Sequence, residues 1–68
     1  MEEEKVEALI GKKVKMVFVT DPSKSIRGFV MDVYKGRKTK ESFIVIEEKR
    51  SSFSDFPVRN IKSVEIIS

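Results

Sequence analysis

The largest cluster of basic side chains in the 68-residue sequence is a group of four cations between residues 35 and 40. The cluster consists of Lys35, Arg37, Lys38 and Lys40, and the first acidic residue after it is Glu41. Clustered Lys and Arg neutralise the phosphates of a nucleic acid and release its counterions, which makes binding dependent on salt. The cluster therefore indicates a phosphate-contacting loop, or else a hairpin tip kept polar for solubility.

Two pairs of neighbouring residues add aromatic rings to this chemistry. Arg27 is followed closely by Phe29, and Tyr34 directly precedes Lys35. Modules that bind single-stranded nucleic acid stack bases on exposed aromatic rings flanked by cations. The alternative for a domain this small is that most of its aromatic rings form the core, which is the interpretation favoured for Phe18, Phe43 and Phe56. Phe53, set between serines, is expected to be exposed.

Catalysis and metal binding have little support in the sequence. Cys and His are both absent, which excludes a thiol nucleophile, an imidazole base, a Cys/His zinc site and a disulfide. No acidic residues show the spacing of a metal site or a carboxylate dyad. Alternation along the second strand places Asp32 on the same face as Ile26, Gly28 and Val30. A structural role for Asp32 is favoured over a catalytic one. We expect a protein that is not an enzyme and has no cofactor and no metal.

The charge is unevenly distributed. The net charge is +3, yet the first ten residues carry four Glu and one Lys, or −3, which leaves +6 on residues 11–68. The longest apolar runs are four residues, far short of the roughly 20 that a membrane helix needs. Glu2, Glu3 and Glu4 stand where a secretory signal would be basic. A cytoplasmic location with no membrane association is the expectation.

The pattern of apolar residues predicts one short helix followed by five strands. Apolar residues at helical spacing and a following Gly11 predict a helix over residues 2–10. Strands are predicted from residue 12 to 19, 26 to 34, 41 to 48, 53 to 58 and 61 to 67, with a corner at Arg59-Asn60 where Asn allows a left-handed conformation. Gly28 marks a bulge, a bend or a close backbone approach, and Pro57 marks an edge strand or a bulge. Lys12, Lys13 and Lys15 are either a second basic group or the polar face of an edge strand.

These elements predict a single mostly β domain over residues 1–68. The economical way for so short a chain to bury both faces of its sheet is a strongly bent, SH3-like or Sm-like small barrel, formed here by residues 12–67 behind the N-terminal helix. The last strand, ending in Glu65-Ile66-Ile67, is apolar enough that an uncovered edge would pair with another chain. A homo-oligomer joined through edge strands is therefore expected.

Three segments resemble the Sm-like family, which contains the LSm proteins and bacterial Hfq. They are residues 9–14 at the helix-to-strand junction, residues 27–30, and Val58-Arg59-Asn60-Ile61, which is similar to the family's second signature. The resemblance implies an RNA-binding oligomer in which Arg59 contacts a phosphate or a base. The family's base-reading Asn has no counterpart in the loop from Tyr34 to Lys40, because Asn60 is the only Asn in the chain.

A second resemblance is to the PRC-barrel family, whose domains are adaptors that bind protein or RNA partners. It is carried by residues 10–14, by Gly28 to Val33 and by the Phe56-Pro57-Val58 approach to the last strand.

The sequence therefore leaves two functional hypotheses. The favoured one is a nucleic-acid-binding barrel, RNA preferred over DNA, that contacts its ligand through a set of basic and aromatic residues: Lys35, Arg37, Lys38, Lys40, Arg27, Arg59 and Tyr34. The alternative is a protein-interaction barrel with no nucleic-acid ligand.

Overall fold

Five antiparallel strands form one sheet in the computed structural model, which describes residues 3–67 and the side chains from Lys5 onward. The strands are β1 (Lys13–Phe18), β2 (Ser25–Lys35), β3 (Ser42–Lys49), β4 (Ser52–Pro57) and β5 (Ile61–Ile66), and their order in the sheet is β4-β3-β2-β1-β5. A 3₁₀ turn, Val58–Asn60, joins β4 to β5. The predicted mostly β class and five strands are confirmed, with strand ends within about two residues of the sequence pattern.

The predicted helix over residues 2–10 is not confirmed over that span. Helix α1 covers Glu3–Glu7 only, and Glu2 lies outside the described residues. Beyond Glu7 the backbone N–H groups of Leu9 and Ile10 donate to carbonyls three residues earlier, which is the bonding of tight turns. Val6 and Leu9 are still buried against the sheet, so this segment covers part of the core without remaining α-helical.

The core lies on one face of the sheet, because apolar residues alternate along the strands that build it. Val14 and Met16 of β1 are buried, as are Ile44 and Ile46 of β3, while Lys13, Lys15, Phe43, Val45 and Glu47 between or beside them occupy the other face. We call the buried side the inner face and the opposite side the outer face. Phe43 and Val45 are half-buried on the outer face, so β3 is fully buried on one side only.

Gly28 lies in β2 close against the backbone of β3. An added Cβ at Gly28 would lie 2.5 Å from the backbone oxygen of Glu47 and 2.6 Å from Cγ2 of Ile46. The first half of β2 pairs with β1, and the second half, from Phe29 onward, pairs with β3. Absence of a side chain at Gly28 lets β2 pass close to β3. Of the bulge, bend or close approach predicted at Gly28, the structure shows the close approach.

The sheet is strongly curled. The rings of Phe18 in β1 and Phe56 in β4 are 4.8 Å apart, centroid to centroid, although two strands lie between them in the sheet. Strands three positions apart in a flat sheet would be separated by about 14 Å. Phe18 also marks the end of β1, where the N–H of Val19 donates to the carbonyl of Asn60 at 2.7 Å. These contacts bring the 3₁₀ turn between β4 and β5 back against the rest of the sheet.

Three local predictions were wrong. The pairing of β2 with β3 shifts between Val30 and Asp32, so Asp32 is exposed on the outer face and does not share the face of Val30. Asn60 has no positive φ; Lys40 and Ser51 are the non-glycine residues of the described chain that do. β1 lies between β2 and β5, which makes it an interior strand, so its lysines do not protect an edge. Pro57, by contrast, lies on edge strand β4 as predicted.

No helix in residues 3–67 has the length and apolar character needed to cross a membrane.

Candidate nucleic-acid interface

The basic loop between β2 and β3 is held in one conformation by its own backbone. The N–H of Gly36 donates to the carbonyl of Glu41 at 2.7 Å, and the N–H of Lys40 donates to the carbonyl of Gly36 at 3.1 Å. Lys40 adopts a φ of 55°, and the Thr39 hydroxyl oxygen accepts the N–H of Glu41 at 3.3 Å. This closed loop fixes the backbone from which the four predicted cations project, and all four are exposed: Lys35, Arg37, Lys38 and Lys40.

Arg59 joins this loop from the far end of the sequence. Its Nε lies 2.6 Å from Oε1 of Glu41, the residue that closes the loop. The two atoms are in contact, but the N–H is not aligned well enough for a hydrogen bond, so we describe the pair as an ion pair. Glu41 Oε1 is shielded from solvent, whereas the Arg59 side chain is 72% exposed. The guanidinium, with five N–H donors, can therefore contact both Glu41 and an external anion.

Tyr34 lies on the outer face at the base of the loop. Its hydroxyl donates to Oδ2 of Asp55 at 2.7 Å, and its ring stacks on Phe43 with centroids 5.4 Å apart and an interplanar angle of 18°. The hydrogen bond to Asp55, partial desolvation and the negative charge of Asp55 all raise the pKa of Tyr34 above its usual 10.0. The phenol is thus neutral and held in place, with 40% of the residue exposed.

Arg27 does not belong to this group. It lies in the first half of β2, paired with Lys15 of β1 on the outer face, and Lys15 is in turn paired with Glu65 of β5. The basic residues singled out from the sequence therefore lie in two separate regions of the described structure. We call the first the loop cluster, which consists of Lys35, Arg37, Lys38, Lys40 and Arg59. We call the second the strand cluster, which consists of Lys13, Lys15 and Arg27.

Two acidic residues have positioning roles that the sequence pattern does not indicate. In the sequence, Glu41 marks only the end of the basic run, and Asp55 is an acid with no evident partner. Their partners in the structure, Arg59 and Tyr34, come from β-strands or turns about twenty residues away. No short spacing reports such contacts, since they depend on which strands are neighbours in the sheet.

The chain matches no family model, no curated protein and no solved structure with which it was compared. Its chemistry must therefore be inferred from the side chains alone. The loop cluster offers exposed guanidinium and ammonium donors within one hairpin end, next to a fixed phenol. Such a set can bind phosphates by charge and hydrogen bonding. No group of three or more His, Cys, Asp or Glu suited to hold a metal ion occurs within residues 3–67.

Proposed function

We propose that this protein binds nucleic acid, with RNA as the preferred ligand, through the loop cluster, and that it acts by binding and not by catalysis. The observation that carries the proposal is the contact between Arg59 and Glu41. It brings a fifth cation, from beyond β4, to the four cations of the loop. The sequence resemblance to Sm-like proteins predicted a contact role for the same Arg59.

The charge arrangement also supports phosphates as the target. Among the side chains that the structure describes, Glu41 is the one acid in ion-pair contact with the five cations of the loop cluster, so the cluster retains a surplus of positive charge. Because the loop is closed by its own backbone hydrogen bonds, its cations lose less conformational freedom on binding than those of an open loop would. Tyr34 at the base of the loop adds a ring that can contact a base or a sugar.

The shape that we propose for the domain is a small barrel of the SH3-like or Sm-like type, assembled into a homo-oligomer. The curl of the sheet supports the first part, because Phe18 and Phe56 meet across it. The positions of β4 and β5 support the second part, since both are sheet edges and β5 ends in the exposed Ile66. Light scattering of the purified protein measures the subunit number directly, and a monomer at micromolar concentration would reject the assembly.

Neutralising the loop tests the proposed function. The variant replaces Lys35, Arg37 and Lys38 with Gln and Lys40 with Asn, which tolerates the φ of 55° at that position. Its affinity for a labelled single-stranded RNA is measured by fluorescence anisotropy over a series of salt concentrations. Loss of four phosphate contacts should flatten the plot of log affinity against log salt by about 3, at about 0.7 per contact for single strands.

A matched control separates the loop from the net charge of the protein. Four other exposed lysines, Lys5, Lys12, Lys49 and Lys62, are replaced with Gln, which changes the formal net charge by the same amount, from +3 to −1. The proposal predicts that the control keeps most of the wild-type salt dependence and that the loop variant loses it. Equal losses in the two variants would show only a general attraction to a basic protein, and no RNA or DNA binding by the wild type would reject the proposal.

A further inference from the structure

A row of four side chains, two of them exposed aromatic rings, crosses the outer face of the sheet, away from the loop cluster. Strand pairing aligns Lys13 with Phe29, Phe29 with Glu47, and Glu47 with Phe53, so the four side chains lie side by side across β1, β2, β3 and β4. Residues paired across adjacent strands lie on the same face of a sheet. We call this row the outer stripe. It contains two aromatic rings that contribute nothing to the buried core.

Both rings of the outer stripe are open to solvent. Phe29 is 43% exposed and Phe53 is 54% exposed. In a domain of 68 residues, which can bury only a thin core, large aromatic residues left this open are apolar surface that the fold does not use. Their exposure therefore fits contact with a ligand better than it fits packing.

Cations lie on the β1 side of the Phe29 ring. The Lys13 ammonium lies 6.0 Å from the centre of the Phe29 ring. Arg27 and Lys15, the remainder of the strand cluster, are paired on the same face two residues away along β2 and β1. Aromatic rings next to a group of cations are the arrangement by which proteins hold single-stranded nucleic acid, with bases stacked on the rings and phosphates on the cations.

Glu47, the one acid of the stripe, is engaged elsewhere. Its Oε2 accepts the backbone N–H of Ser51 at 3.2 Å, so its carboxylate is drawn toward the β3–β4 turn. Phe29 and Phe53 are two strands apart, or about 10 Å, which is too far for one base to stack on both. Each ring would therefore receive its own base, and the phosphates next to the base on Phe29 would follow the strand cluster, on the side of the ring away from Glu47.

We infer that the outer stripe, with Phe29 as its main contact, is a second nucleic-acid site that stacks unpaired bases. This inference rests on the proposed function, because it assumes a nucleic-acid ligand, but it involves a different surface and a different chemistry. The loop cluster contacts phosphates that any nucleic acid has, whereas the outer stripe requires a free base face. A double helix keeps its base faces stacked internally, so the ligand of the stripe is single-stranded.

The test replaces Phe29 with Leu, which keeps an apolar side chain at the position and removes the aromatic face. Two labelled oligonucleotides of equal length are used, one with ordinary bases and one with abasic residues, which carries the same phosphates. The Phe29→Leu variant should bind the ordinary oligonucleotide at least about five-fold more weakly than the wild type and the abasic one equally well. Phe29→Tyr, which keeps a ring, should retain the wild-type affinity for both.

Met31→Leu is the matched control, because Met31 is 45% exposed in the same strand and has no ring. It should leave both affinities unchanged. Equal effects of Phe29→Leu on the two oligonucleotides, or no effect on either, would overturn the inference. Circular dichroism melting of each variant checks that the fold is retained, and Phe53→Leu provides a second ring variant in case Phe29→Leu unfolds.

The outcomes separate this inference from the proposed function. Binding that falls on loop neutralisation but not on Phe29→Leu supports the loop cluster and rejects the outer stripe. Binding that survives loop neutralisation but falls on Phe29→Leu rejects the loop cluster and supports the outer stripe. A wild-type protein that binds neither oligonucleotide rejects both, and the exposed rings would then be assigned to a protein partner.

Discussion

Gly28 is the position at which we expect the smallest change in sequence to have the largest effect on stability. A Cβ at this position would lie 2.5 Å from the Glu47 backbone oxygen and 2.6 Å from Cγ2 of Ile46, against the 3.4–4 Å of ordinary contact. Relief of the overlap requires β2 and β3 to separate by about an ångström. The separation would weaken the pairing of Phe29 with Glu47 and that of Val30 with Ile46.

The expected loss of stability follows from the overlap at the added Cβ and from the weakened strand pairing. Overpacking of a close contact costs about 1–3 kcal/mol, and each weakened backbone hydrogen bond adds about 1 kcal/mol. We therefore expect Gly28→Ala to lower the free energy of unfolding by about 3 kcal/mol or more. A domain of this size has a total stability of only about 3–5 kcal/mol, so the variant should be largely unfolded or melt at least about 12 °C lower.

The other glycines supply controls for this measurement. A Cβ at Gly36 would meet the Thr39 hydroxyl oxygen at 3.0 Å and Cε2 of Phe43 at 3.3 Å, both in side chains that can move, so Gly36→Ala should cost less than about 1 kcal/mol. Gly11 has a φ of 87° and no atom within 4 Å of an added Cβ, so Gly11→Ala measures backbone strain alone, about 1–2 kcal/mol. Urea unfolding followed by circular dichroism gives all three values. A loss below about 1 kcal/mol for Gly28→Ala would refute the close approach of β2 and β3.

Two further predictions concern the positioning contacts. Tyr34 is the only tyrosine, so its ionisation can be followed alone by tyrosinate absorbance. The pKa of Tyr34 should exceed 10.0 in the wild type and should fall in the Asp55→Ala variant. A pKa that is unchanged by Asp55→Ala would reject the hydrogen bond. Folding favours the neutral form of Tyr34. The stability that the Tyr34–Asp55 hydrogen bond contributes is therefore complete below pH 10 and is lost as the pH rises through the pKa of Tyr34 in the folded state. Glu41→Gln removes the acidic neighbour that offsets part of the Arg59 charge, so it should tighten RNA binding and steepen its salt dependence by at most about 0.7. This gain should be absent when Arg59 is also replaced by Gln.

The order of the elements could be predicted from sequence because local patterns determine it. Alternating apolar residues and polar turn segments predicted each strand. Gly28 was singled out because a glycine inside a strand commonly marks a bulge, a bend or a close backbone approach, and the last of these is what the structure shows. These signals depend on neighbours in the chain. An edge strand or a bulge was predicted at Pro57 because proline cannot donate a backbone hydrogen bond to a second neighbouring strand, and β4 is an edge strand.

The errors come from features that the local pattern cannot report. The irregular pairing at Met31 inserts one residue into β2, and a shift of one residue moves each later side chain to the opposite face. Simple alternation therefore assigned Asp32 to the wrong side. The ion pair of Arg59 with Glu41 depends on how far the sheet curls. Curl depends on the packing of Phe18 against Phe56, which is a tertiary contact.

The two proposed sites are separated by an acidic row on the outer face. Asp32 is paired with Val45, and Val45 with Asp55, which sets two exposed carboxylates between the outer stripe and the base of the loop at Tyr34. Asp32 accepts the N–H of Val33 at 2.8 Å and Asp55 accepts the Tyr34 hydroxyl, so both acids are anchored in position. A polyanion crossing the face directly would pass both charges at close range. The loop cluster and the outer stripe should therefore engage different parts of a ligand, which is why variants in one can report on that site without disturbing the other.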